Sequence, residues 1–497
     1  MKFNNKTLNK DFSEFFWVYI CNLVLFLPCL IFGGSNFSID SYGILMDGPD
    51  AHISAFIGSF RYFGAFIYKI ISLFNHNPIS NSTLDIIFYV ILVPAIVTLV
   101  VLEFYKCLKT KELISIIVID IAVLISIYNV WFCDILSFPE CIVITAIGIV
   151  FCFSSLIVMI RSKKIWHYIL SVLLLVFSTA IYQQFISVFA IFAIACCGIF
   201  TADNKDKKLI ILNYLKYASV IVVSGILYFI SGKFFVSYFG LTANERISLD
   251  FTSIIENIKY FISHQHSFLK GRGFFDTEIL TITFLALGFI WFITLFKDWL
   301  KNKDTFKTII IALSYAVAYF SAYLSGILST SHGTRTMFPL FSIFALFIIG
   351  TLALKSKKII KILMSIVLLM ILSVNIFKVV TNENGLKKQN DFDEIWVNHV
   401  VDSIKDYEEK TGIKIEKIYY GYDDCYDMNI GNSFTNSATS VRYAFDAIFE
   451  VYSDSKYTVV EMNEDECDDL FGENDWKEFK ADEQLIFKSN ELYVCCY

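Results

Sequence analysis

The feature that most constrains this chain is a series of apolar runs, each about 20 residues long, recurring between residues 15 and 378. A helix of that length spans roughly 30 Å, the thickness of the hydrocarbon layer of a bilayer. Eleven such runs can be marked, near 15–34, 84–104, 113–133, 141–160, 165–182, 185–201, 215–235, 277–296, 308–328, 338–354 and 360–378. They predict an all-α polytopic membrane protein with about 11 transmembrane helices. The composition agrees, with 56% hydrophobic residues, 50 phenylalanines and only 6 prolines in 497 residues. No small-residue cleavage site separates MKFNNKTLNKDFSEFFW from the first run, so that run is expected to be retained as a helix rather than removed as a signal peptide.

Charge sets the orientation. With the N-terminus in the cytoplasm, the short loops assigned to that side hold 21 lysines and arginines, among them KCLKTK, RSKK and KSKK, whereas the outer loops of the membrane portion hold nine. That asymmetry follows the positive-inside rule and predicts a multi-pass protein of the cell membrane. Ser54–Phe74, SAFIGSFRYFGAFIYKIISLF, is long enough to cross but carries Arg61 and Lys69. A crossing there would turn the basic clusters outward. It is therefore expected to be an amphipathic or re-entrant helix at the outer interface, within a first outer loop from about residue 34 to 83. A second large outer loop, about 236–277, holds IIENIKYFISHQHSFLKGRG and is expected to carry another interfacial helix.

The charge balance also divides the chain. From Thr381 onward there are 27 acidic and 11 basic residues, net −16, which leaves 30 basic and 20 acidic before it. Residues 1–380 are read as the membrane domain and 381–497 as an acidic, water-soluble, extracytoplasmic domain, long enough for a core of its own. DFDEIWVNHVVDSIKDYEEK and RYAFDAIFEVY have helical patterning, while KIEKIYYGY and KYTVVEM alternate like strands, so the tail is expected to be a small α/β unit. Eight of the 12 cysteines lie in or beside membrane segments, where a thiol behaves as a small hydrophobe. In an extracytoplasmic tail, Cys425 or Cys467 has the option of pairing with Cys495 or Cys496. No cysteine or histidine spacing suggests a metal site. The basic residues form no stripe of the kind nucleic acid requires.

Polar residues at the outer ends of membrane helices are ordinarily solvated loop residues. Here Asp40, Asp47, Asp50, His52, Arg61, Glu140, Gln183, Gln184, His332 and Arg335 all fall on one side, at or near helix ends. Carboxylates beside cations at one membrane face suit a transfer in which a base deprotonates a hydroxyl while cations hold a phosphate leaving group. Guanidinium donors match phosphate oxygens, which marks Arg61 and Arg335, and Arg61 on its aromatic surface is equally suited to reach headgroups. Lys270 and Arg272 in LKGRG suit either assistance at the phosphate or the headgroup contact usual for interfacial basic residues. Glu140 opens a helix, where a carboxylate suits the dipole and also has the chemistry to bind sugar or acceptor. Gln183 and Gln184 suit either a tight helix hairpin or sugar hydroxyls. Asp47-Gly48-Pro49-Asp50 has turn chemistry first. Asp120, in the middle of its run, is expected to face the bundle interior.

The order of short motifs resembles the Gtr-type bacterial glucosyltransferases of the type-two branch, membrane enzymes of the GT-C class. The matching pieces are SID at Ser38–Asp40, Arg61 in an aromatic setting, FPE at Phe138–Glu140, IYQQFIS at Ile181–Ser187 and TRTMFPLF at Thr334–Phe341. They cover about 300 residues of the membrane portion. Two departures stand out: Tyr42 occupies a place where the pattern has an acidic residue, and Phe60-Arg61 stands where it has Gly-Arg. The resemblance implies a GT-C-like fold and transfer of a sugar, glucose by family expectation, from a polyprenyl-phosphate donor to a cell-surface glycan acceptor, with inversion. It implies Asp40 as general base, for which a helix-cap or turn role is the alternative, and Arg61, Glu140, Gln183 and Arg335 as substrate-binding groups; Asp50 and His332 join the substrate-binding set from the polar residues gathered on the same side. Neither metal nor cofactor is called for, nor a nucleic-acid partner; the remaining partner is membrane lipid. The rival classes are a lipid-linked glycan flippase or transporter, a glycan polymerase or ligase, and a surface anchor whose tail is the working part. Removal of residues from Thr381 onward is expected to spare transfer by an enzyme of this kind and to abolish function in a surface anchor.

Overall fold

The computed structural model describes residues 5–33, 36–77, 79–243, 250–271, 278–328, 334–422, 442–453, 457–472 and 481–496. Every apolar run marked in the sequence is helical over most of its described length, with interior breaks at Tyr128-Asn129 and Ala322-Tyr323. In chain order the helices are α1 (Asn5–Gly33), α2 (Ile39–Gly58), α3 (Tyr62–Ser72), α4 (Ser82–Cys107), α5 (Leu113–Ile127), α6 (Val130–Cys133), α7 (Pro139–Ile160), α8 (Ile165–Thr179) and α9 (Phe185–Asp203). They continue with α10 (Lys207–Tyr238), α11 (Phe251–Ser263), α12 (Gln265–Leu269), α13 (Ile279–Asn302), α14 (Thr305–Ser321), α15 (Leu324–Ile327), α16 (Leu340–Ala353) and α17 (Lys358–Thr411). Short 3-10 turns at Asp134–Ser137 and Thr334–Met337 precede α7 and α16.

Among the described residues, eight helices are long and apolar enough to cross a membrane, or nine if α5 and Val130–Ser137, bent by 41°, form one span. The protein is thus a multi-pass membrane protein whose apolar portion is all-α. The apolar helices α8 and α14 are shorter, at 15 and 17 residues. Burial sorts the bundle: the span containing α16 is 89% buried and α1 only 22%. An all-apolar helix at the centre packs against protein on every side, whereas α1 leaves Trp17, Val24 and Ile31 exposed, as lipid permits. Asp120 does face the interior. Its carboxylate accepts from Asn22 Nδ2 at 2.9 Å, and the same amide donates to Thr98 Oγ1 at 3.1 Å, so α1, α4 and α5 share one buried polar contact.

The two ends of the bundle differ. At one end the basic loops make ion pairs between helix termini: Arg161 with Glu103, Lys109 with Asp203 at 2.8 Å, and Lys361 with Glu112 at 3.0 Å. The opposite end carries α2 and α3. The expected interfacial segment Ser54–Phe74 is two helices rather than one, parted at Ser59-Phe60-Arg61. Phe60 lies in the left-handed region, φ 60°, and its ring fills the space beside Gly232 of α10, where a Cβ would come within 2.8 Å of it. Aromatic packing thus overrides helix continuity. Helix α3 is not merely interfacial: Tyr62, Gly64, Ala65, Ile67 and Tyr68 are buried, and Phe63 stacks on Phe177. Within α2, Gly48 at φ 75° absorbs the kink before Pro49. The described part of the stretch 236–277 contains a helix where one was expected, α11.

The final apolar run continues without a break into the acidic tail, so α17 is a single helix of 54 residues that ends on Gly412 in the left-handed region. Beyond it come β1 (Lys417–Tyr422), α18 (Arg442–Ser453), β2 (Thr458–Glu461), α19 (Glu464–Phe471), β3 (Leu485–Lys488) and β4 (Glu491–Cys496). The strands form one sheet in the order β2-β1-β4-β3, with β1 parallel to both neighbours and β3–β4 an antiparallel hairpin. Ile418 lies opposite both Val459 and Leu492. Helix α17 buries Val397, Val400 and Ile404 at helical spacing in a core with Ile418, Tyr420, Phe445, Leu492 and Val494. That core also takes Phe37 and Tyr42 from the beginning of the chain.

Candidate active site

Among the described residues, five connecting segments meet at the end of the bundle opposite the ion-paired basic loops. Residues 36–38 leave α1 in an irregular conformation, and the Ser38 N–H donates to the Ser137 carbonyl at 2.7 Å, docking the start of α2 on the turn before α7. Asp40 sits in the first turn of α2, exposed, where a carboxylate suits the positive end of a helix. Glu140 occupies the first turn of α7, just inside Pro139, and is buried. The Ser41 hydroxyl donates to Glu140 Oε2 at 3.0 Å, so the two helix N-termini are tied side by side.

The arginines approach on aromatic faces. Arg335 lies over the Phe138 ring at 4.8 Å and is 3.5 Å from Asp134 Oδ2; its side chain is 44% exposed, that of Asp134 10%. One face of the guanidinium is therefore packed while the charge keeps access to solvent. Arg61 lies over the Tyr182 ring at 5.3 Å, and its buried Nε has no hydrogen-bond partner among the described residues. Gln183 Nε2 donates to the Ser59 carbonyl at 2.8 Å, which fixes the α8–α9 turn against the break before Arg61. Tyr182 also stacks on Phe338, from the turn that bears Arg335, with ring centroids 6.1 Å apart.

The charged groups at this end lie within electrostatic range of one another. Asp40 acts on His52, Asp134, Glu140, Cys141 and Arg335. Cys141 feels Glu140, Arg61, Arg335 and Asp40 together. His52 packs on Phe56 and Tyr68, with centroids at 4.3 and 4.7 Å. Burial first, and then the Arg61 charge, lower its pKa to about 4 against the opposing pull of Asp40, so the imidazole is neutral at pH 7.

Of the residues singled out in the sequence, Asp40, Arg61, Glu140, Gln183 and Arg335 are brought to this one end and joined through shared neighbours. Asp50 is engaged elsewhere, receiving Lys69 Nζ at 2.8 Å on the surface. His332 and Arg272 lie outside the described residues, as does the side chain of Asp47. Sequence reasoning missed Asp134, Phe138, Tyr182 and Ser41 as parts of this arrangement. A signal existed for the first: DILSFPE carries two acidic residues on one short turn between apolar runs, and only the second was singled out.

Fold and site together define a multi-pass membrane protein that concentrates carboxylates, guanidiniums and aromatic rings at one end of its helices. The family model described as glucosyl transferase GtrII matches residues 29–349, a stretch that contains the SID, FPE, YQQ and TRTMFP segments, and the chain belongs to that family of glucosyltransferases. No curated protein and no solved structure matches the chain. The tail from residue 381 lies beyond the matched region.

Proposed function

We propose that this protein is an inverting glucosyltransferase that takes glucose from a polyprenyl-phosphate donor and attaches it to a cell-surface glycan. Asp40 acts as general base. It removes the proton from the acceptor hydroxyl as that oxygen attacks the anomeric carbon, and the bond from that carbon to the phosphate oxygen breaks with inversion. The departing polyprenyl phosphate gains negative charge, which Arg335 and Arg61 stabilise on their ring-backed faces. Glu140 and Gln183 hold sugar or acceptor hydroxyls, and Asp50 and His332 remain candidate substrate contacts from the sequence. A single lipid phosphate flanked by two guanidiniums requires no metal for charge neutralisation.

The observation that carries this reading is geometric: the helix start bearing Asp40 is tied to Glu140 through Ser41, and Arg335 and Arg61 lie on the Phe138 and Tyr182 rings at the same end of the bundle, inside the family-matched region. In the proposed topology the chain crosses the cell membrane eleven times, with α8 and α14 as short spans. The basic end is cytoplasmic together with the N-terminus. Asp40 and the C-terminal portion from residue 381 are extracytoplasmic.

The test is transfer by purified protein from radiolabelled polyprenyl-phosphate glucose to cell-envelope glycan. Asp40→Asn abolishes transfer while the protein stays folded and still binds donor; full activity in that variant removes Asp40 from the mechanism. Movement of donor lipid across vesicles without its consumption favours the flippase class instead.

A further inference from the structure

The segment that bears Asp40 is held largely by residues outside the family-matched region. Residues 36–38 have no helix of their own to satisfy their backbone groups, so partners must come from elsewhere. Phe37 is paired at both its polar atoms with one side chain of α17: its N–H donates to Asn390 Oδ1 at 3.1 Å, and its carbonyl accepts from Asn390 Nδ2 at 3.0 Å. Asn36 Nδ2 donates to the Glu383 carbonyl at 2.9 Å, in the same helix. On the other side of Asp40, the Tyr42 hydroxyl meets Tyr452 of α18 at 3.0 Å and Asp393 Oδ2 at 3.5 Å. The Tyr452 hydroxyl in turn donates to the Asn390 carbonyl at 3.2 Å. The rings of Phe37 and Tyr42 lie in the core built by α17, α18 and the sheet. Tyr42, Asp393 and Glu383 are all essentially inaccessible to solvent.

We propose that the C-terminal portion is a positioning device for Asp40, with Asn390 and Tyr42 as the positioning residues, a role that rests on Asp40 being the base. Three residues before Asp40 the backbone is clamped by an amide, and two residues after it a side chain is locked into a separate core. Between these two points Ser41 bonds Glu140, so the carboxylate is set against both the C-terminal core and α7. A misplacement of about 1 Å in a reacting group can cost on the order of a hundredfold in rate, so such anchoring has a direct kinetic consequence. Burial first, and then the charge of Asp393, hold the Tyr42 hydroxyl well above its ordinary pKa, which keeps it a donor. The expectation that a chain cut at Thr381 still transfers sugar is reversed: the cut removes Asn390, Asp393 and Tyr452 and strips the cover from Phe37 and Tyr42.

The experiment uses the full chain and polyprenyl-phosphate glucose. Asn390→Ala and Tyr42→Phe are compared with wild type and with Asp40→Asn, after the folded fraction is measured by size exclusion and thermal unfolding in detergent. Both variants are expected to lower kcat, by roughly tenfold to a hundredfold for Asn390→Ala and a few-fold for Tyr42→Phe, with donor KM within about twofold because the arginines are untouched. If Asn390→Ala does not fold, Tyr42→Phe decides alone, since it keeps the ring in the core and removes only the hydroxyl. Unchanged kcat in the folded variants alongside a dead Asp40→Asn overturns the positioning role and leaves the base in place. Full activity in Asp40→Asn overturns both. A fall confined to KM also overturns it, because that places the C-terminal portion in donor binding.

Discussion

His52 shows at the scale of one residue how this site departs from ordinary solution chemistry. It sits four residues ahead of Phe56 on α2, packed between that ring and Tyr68, with Arg61 near enough to oppose its charging. The folded protein holds its pKa near 4, below the ordinary value of 6.5 that the unfolded chain regains. Between those values the unfolded chain binds a proton that the folded protein refuses, so stability is complete above about pH 6.5 and declines as the pH falls toward 4. Thermal unfolding at pH 7.5 and pH 5 is expected to show this decline, and His52→Phe to flatten it; equal slopes in both proteins exclude His52 as the source. Some residues of the candidate site were legible because a charge at the end of an apolar run needs a reason, as with Arg335 and Glu140. Others were not. Tyr182 reads as one more aromatic in a chain that has 27 tyrosines and 50 phenylalanines, and its use as a platform depends on an arginine 121 positions earlier. Asp120 was legible as an interior group, but its partner Asn22, in α1, was not.

At the scale of elements, glycines mark where helices must approach. A Cβ on Gly350 of α16 would fall 1.7 Å from the Tyr315 hydroxyl of α14, which donates to the Leu346 carbonyl at 3.0 Å. A Cβ on Gly198 of α9 would meet the same hydroxyl at 3.7 Å, an ordinary contact. Gly350→Ala is therefore expected to destabilise the folded protein by about 1–3 kcal/mol through overpacking, and Gly198→Ala to be nearly neutral. Unfolding in detergent checks the pair, and equal effects would mean that α14 does not pack on α16 in this way. Element identity was well encoded: the apolar period marks the membrane helices, and alternation marks β1 and β2. Element limits were less so. The break at Phe60 comes from an aromatic ring seated beside Gly232, 172 residues away, and the fusion of the last membrane run with the tail helix has no local stop signal before Gly412.

For the molecule as a whole, the two ends are chemically distinct, with ion-paired basic termini at one and the Asp40–Arg335 site at the other. The proposed orientation places Asp50 outside and Lys163 inside. In intact cells an impermeant thiol reagent is expected to label Asp50→Cys and to leave Lys163→Cys unlabelled until the membrane is opened; labelling of both from outside would overturn the proposed number of crossings. The sequence by itself determined which segments are apolar enough to enter hydrocarbon and at which of their ends charge gathers. Both follow from the transfer of side chains between water and lipid, which depends on each segment alone. Only the tertiary structure decided which polar groups meet, and that the core of the acidic tail recruits Phe37 and Tyr42. Those contacts join residues more than 350 positions apart, as between Phe37 and Asn390, and depend on how completed elements pack, which no local pattern of residues records.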